Sequence, residues 1–104
     1  MASGILGQIV GTGSEADVYT CPSSTLAVVN VSIINNDASN GESVVLRLVA
    51  SGDTSAAKHN LENFTLASNG VLERTNIVMG AGDKLTLNAS SDVSISAMGI
   101  EESV

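Results

Sequence analysis

The chain has 104 residues, 43% of them hydrophobic, with a net charge of −7 from 11 acidic and 4 basic side chains. That length fits one domain with one core, and the hydrophobic fraction excludes a disordered chain. The four bases, Arg47, Lys58, Arg74 and Lys84, are scattered and form no stripe that could track a nucleic-acid backbone.

Tyr19 and Phe64 are the only aromatics, so aliphatic side chains must fill the core. Cys21 is the single cysteine, which excludes an intrachain disulfide. The opening MASGILGQIVG carries no basic n-region and no long apolar run, so no signal peptide is expected, and Ala2 breaks the myristoylation pattern. No run approaches the ~18–20 apolar residues of a transmembrane helix, so no membrane partner is expected.

Residues 1–15 alternate Gly4, Gly7, Gly11 and Gly13 with Ile5, Leu6, Ile9 and Val10. Glycine at that density disfavours a helix. The segment reads as an extended N-terminal arm that packs on its own domain or on a neighbour, and residues 16–104 read as the domain proper.

Ala16 to Thr20 is a first short strand, stopped at Cys21-Pro22-Ser23-Ser24. Leu26 to Asn35 is the strongest: Ala27, Val29, Val31 and Ile33 alternate with Asn30 and Ser32, the period of a half-buried strand. Asn35 to Gly41 has turn composition. Ser43 to Ala50 places Val44, Leu46, Leu48 and Ala50 on one face and Arg47 on the other. Residues 51–58 form a loop, and His59 to Leu66 alternates less cleanly.

After a turn at Ser68-Asn69-Gly70, Val71 to Met79 is a strand, turned back by Gly80-Ala81-Gly82-Asp83. Leu85, Leu87 and Ala89 form one face of the next strand; Val93, Ile95 and Ala97 form one face of the last. Glu101 to Val104 reads as a solvated tail. Shared parity predicts that Val29, Val31, Ile33, Leu46, Leu48, Leu85, Leu87, Val93 and Ile95 are buried. The pattern predicts an all-β antiparallel β-sandwich, Ig-like or jelly-roll, of seven to eight strands.

Tests for chemistry are negative. His59 is the single histidine, without the G-x-S-x-G elbow of a hydrolase, and reads as a surface or loop residue. Cys21 and His59 fall short of a zinc ligand set. Loop carbonyls with Asp37, Asn40 or Glu42 are the one calcium candidate. Gly11-Thr12-Gly13 lacks the strand, helix and third glycine of a dinucleotide fingerprint. Three tripeptides, starting at Asn30, Asn63 and Asn88, match the glycosylation pattern in or beside predicted strands and read as accidental. No catalytic residue, metal or cofactor is expected.

Met1 to Gln8, Val18-Tyr19-Thr20-Cys21-Pro22, Ala27 to Ile33, Asn69 to Thr75 and Met98 to Glu102 resemble small virion structural proteins of tailed bacteriophages, especially those of marine bacteria and cyanobacteria. The resemblance spans nearly the whole chain. Cys21 departs from the small aliphatic residue expected before Pro22, a change that a buried thiol absorbs.

The resemblance implies a non-enzymatic virion component present in many copies: a capsid decoration protein that contacts the major capsid protein or other virion proteins, or a neck, tail or fibre-attachment protein. A glycan-binding module at the host surface is the competing class. Homo-oligomerisation is expected. The candidate interface residues are Ile5, Leu6, Ile9 and Val10 of the arm with Tyr19, Arg47 and Arg74, since Tyr and Arg are the types that anchor interfaces. At least one of these arginines is expected to meet a carboxylate of a neighbouring subunit.

Overall fold

A computed structural model describes residues 3–104. Eight strands form two four-stranded sheets: β1 (Ser3–Val10), β2 (Glu15–Thr20), β3 (Thr25–Asn35), β4 (Glu42–Val49), β5 (Asn60–Leu66), β6 (Val71–Met79), β7 (Lys84–Ala89) and β8 (Val93–Ser103). One sheet runs β1-β8-β3-β6, the other β2-β7-β4-β5. All pairings are antiparallel.

The pairs β4:β5, β3:β6, β2:β7 and β1:β8 are those of one long ribbon, folded at its middle and rolled up. This is the jelly-roll arrangement among the two sandwich types expected. The glycine-rich turn at 80–83 does not fold β6 back on β7 as a hairpin; it carries the chain from one sheet to the other.

Alternation builds the core. Val29, Val31 and Ile33 of β3, Leu46 of β4, Leu85 and Leu87 of β7, and Val93 and Ile95 of β8 are all buried. Leu48 is only partly buried, although its parity is right. The β4:β5 pairing ends at Arg47 and Asn60, so β5 offers no neighbour to cover it. Val49 is buried instead, on the outer side of the sheet, where the loop after β4 folds over it.

Residues 3–10 of the expected arm are extended and pack on their own domain: they are β1, laid along β8 as an edge strand. Met1 and Ala2 lie outside the described residues. Glycine did not prevent the strand, because Gly4 takes a φ of +93° beside a bulge between Ile5 and Gly7 and the ladder resumes beyond it. One expectation is corrected: the tail is strand, with Glu101, Glu102 and Ser103 paired to Ala27, Leu26 and Thr25, although Glu102 and Ser103 stay exposed. Glu101 alternates to the inner side there, where Tyr19 receives it.

Helix is limited, among the described residues, to a single 3-10 turn at Ala57–His59. No helix of the described residues is long and apolar enough to cross a membrane.

Candidate functional site

The sandwich has two outer faces of opposite chemistry. On the β2-β7-β4-β5 side, alternation sends Glu15, Arg47 and Thr86 outward, and the loop after β4 closes over them. Glu15 Oε2 accepts hydrogen bonds from the hydroxyls of Ser55 (2.7 Å) and Thr86. These two donors hold the Glu15 carboxyl below its usual range, with Arg47 and Lys84 adding to the effect. The guanidinium of Arg47 donates to Ser55 Oγ and to Asn60 Oδ1, both at 2.8 Å, and its Nη1 lies 3.8 Å from Glu15 Oε1.

His59 is buried, not on the surface. Its Nδ1 accepts from the Ala56 amide and its Nε2 meets Asp53 Oδ2, each at 3.1 Å. The hydrogen bond from His59, then the charge of Lys58, hold the Asp53 carboxyl below its usual range. The Ser55 hydroxyl donates to Glu15, so the nearby serine is not poised against His59. Glu15, Asp17, Asp53, Ser55, Lys84, Thr86 and Val49 line a depression of about 170 Å³.

At the end of the sandwich, carboxylate oxygens of Asp37, Glu42 and Asp92 lie within 4.8 Å of one another. Two of these, Asp37 and Glu42, belong to the calcium candidate read from sequence; Asp92 comes from the turn before β8. Asn40 does not join them as a ligand: its backbone and side chain bond Asp37. The amides of Ser39 and Asn40 donate to Asp37 Oδ1 and lower its affinity for a proton. This accounts for the Asp37 carboxylate as the cap of its own turn.

The loop is pinned from below by Asn35, which is fully buried. Its Nδ2 donates to the carbonyls of Asn40, Leu66 and Ala67, and its Oδ1 accepts from the Asp37 amide.

The opposite face, β1-β8-β3-β6, carries the exposed large aliphatics Ile5, Val10, Ile34, Val71, Val78 and Ile100 with Met98, among small polar side chains. Register aligns its outward residues in rows across the four strands. One row is Ser3, Ile100, Val28 and Val78, and the next holds Ile5, Met98 and Asn30. Then come Gln8, Ser96, Ser32 and Glu73, followed by Val10, Ser94, Ile34 and Val71; Leu26 and Glu102 cap one end. Ile5, Val10, Val71 and Val78 are each more than half exposed, and Ile100 is 49% exposed. Only Glu73 and Glu102 of the eleven acids fall in these rows, and none of the four Lys and Arg does. The exposed aliphatics form two bands with few charges, separated by the polar row of Gln8, Ser96, Ser32 and Glu73, and exposed apolar surface of this kind marks interaction sites.

The structure divides the seven interface candidates. Ile5 and Val10 stand exposed on the aliphatic face, whereas Leu6 and Ile9 pack against the core. Tyr19 is buried and donates its phenol to Glu101. Arg47 is held in the polar network, and Arg74 Nη1 meets Glu62 Oε2 at 2.8 Å across the two sheets. Both arginines find carboxylates within the chain, Glu15 for Arg47 and Glu62 for Arg74. Sequence reading missed Met98, Ile100, Val28 and Val78, which align only once β8 lies between β1 and β3; even-numbered parity was the available signal for Val28 on β3 and for Met98 and Ile100 on β8, whereas the register shift on β6 hid Val78.

No protein-family model and no curated protein sequence matches the chain.

Proposed function

We propose that this chain is a structural subunit of a tailed-phage particle, present in many copies as a capsid decoration protein. The observation that supports this best is the broad aliphatic outer face of the β1-β8-β3-β6 sheet, exposed on a domain whose other face is polar and self-satisfied. Burying such a face across subunit boundaries stabilises an assembly. The jelly-roll is also an architecture that capsid and lectin domains use, and the sequence resembles virion structural proteins over nearly its whole length. In this reading the protein acts by contact, without catalysis, and resides in the virion.

The test is quantitative mass spectrometry of purified particles. A copy number comparable to that of the major capsid protein is the expected result. A few copies per particle would shift the reading to a neck, tail or fibre-attachment protein. Absence from particles would overturn it.

A further inference from the structure

We propose that the aliphatic face of the β1-β8-β3-β6 sheet is covered by the same face of a second copy of this chain, giving an isologous dimer. The inference rests on the structural reading above and specifies one contact of the subunit.

The row pattern supports self-pairing. A two-fold axis running along the strands, between β8 and β3, would reverse the strand order of one sheet over the other. Each row then meets itself end to end. Ile100 lies over Val28 of the second copy and Val28 over its Ile100, while Ser3 meets Val78. In the third row Gln8 lies over Glu73 of the second copy, so that carboxylate meets an amide and not its own image. In the fourth row Val10 lies over Val71. Along the cap, Glu102 lies over Leu26. None of these juxtapositions sets a carboxylate against a carboxylate; Ile100 on Val28 and Val10 on Val71 are the apolar pairs, while Met98 meets Asn30 and Ser94 meets Ile34.

Charge selects the same face. Nine of the eleven acids lie elsewhere: on the other sheet, between the sheets, or in turns. A negatively charged chain that associates with itself does so at least electrostatic cost through the side that bears fewest of those charges.

Size is adequate as well. Four strands about 4.8 Å apart, the longest of them 11 residues, span a face of about 700 Å² at ~3.4 Å per residue. A stable contact of standard size takes about 800 Å² per partner. Two sheets meeting this way would stack ~10 Å apart and within about 30° of alignment.

The test is sedimentation equilibrium of the purified full chain. The expected result is a dimer at micromolar concentration. Val78→Lys and Met98→Lys should each weaken it at least tenfold while far-UV circular dichroism is unchanged, and Asn63→Lys, on the opposite sheet, should leave it intact. Should a lysine variant fail to fold, Ile5→Thr and Val78→Thr provide the same readout with β-compatible residues. A chain still monomeric at about 100 μM, well above the micromolar affinity of a weak standard-size contact, would overturn the proposal. So would a trimer, or a dimer indifferent to the face variants, which would point to pairing through an edge strand. A monomeric chain that is nonetheless abundant in particles overturns the dimer and leaves the structural role standing; a dimer absent from particles does the reverse.

Discussion

The phenol of Tyr19 on β2 donates its hydrogen bond to the Glu101 carboxylate on β8, joining the two sheets at one end of the sandwich. Burial, then this hydrogen bond to a carboxylate, raises the phenol well above its ordinary titration range. Tyr19→Phe should cost about 1.5–3 kcal/mol, the scale of a hydrogen bond to a charged group, and lower Tm on the order of 10 °C. The pH dependence has a definite sign. Above about pH 10 the unfolded chain releases the phenol proton while the folded chain keeps it, so stability falls as pH rises. Urea titrations of both proteins at neutral pH and near pH 11 should show the gap narrowing at the higher pH.

Glu15 supplies the opposite sign. Its carboxyl is held below the usual range by the hydroxyls of Thr86 and Ser55, so its contribution is present above the ordinary carboxylate range and is lost as pH falls through it. Glu15→Gln should cost about 0.5–1 kcal/mol at neutral pH, discounted for the partial exposure of the site. The difference from the parent chain should shrink as pH falls below the ordinary carboxylate range, as read by thermal melts from pH 7 downward.

Asn35 satisfies three backbone carbonyls with one buried amide. Asn35→Ala leaves those carbonyls without that donor, the Leu66 carbonyl in a buried site, at a cost of about 1–3 kcal/mol. Hydrogen exchange should show the 36–41 loop opening in the variant while β7 and β8 keep their protection.

Gly99 of β8 lies hard against β3: a Cβ there would stand 2.0 Å from the Val28 carbonyl oxygen and 3.1 Å from the Val29 Cα. Both neighbours are backbone and cannot swing away. Gly99→Ala should destabilise the fold by about 1–3 kcal/mol, visible as a lower urea midpoint.

Strand parity was readable wherever residues alternated cleanly. Val29, Val31 and Ile33 declared the inner side of β3, and Leu85 and Leu87 that of β7, before any partner was known. Connectivity was not readable, because three of the four ribbon pairs join residues far apart in the chain and local turn chemistry cannot distinguish a hairpin from a crossover. The 80–83 turn has hairpin composition yet leads from one sheet to the other. Glu101 was mistaken for tail because a carboxylate looks like a surface residue until Tyr19 stands opposite it. The Glu15, Ser55 and Arg47 network was invisible for the same reason: its members come from β2, a loop and β4. The aliphatic face was half legible, with Ile5 and Val10 chosen for their glycine-rich surroundings and their β8 and β3 companions unseen.

The rolled ribbon also dictates an order of events in time. Among the ribbon pairs, only β4 and β5 are consecutive in sequence, so closing that loop costs least entropy. Each further pair, β3 with β6, then β2 with β7, then β1 with β8, joins segments more distant in the chain but already drawn together by the pair before. The chain therefore assembles as a zipper from its middle outward, slowly for its size because so little of the pairing is local. The β1 and β8 strands pair in the last of these steps, and the aliphatic face is completed only then.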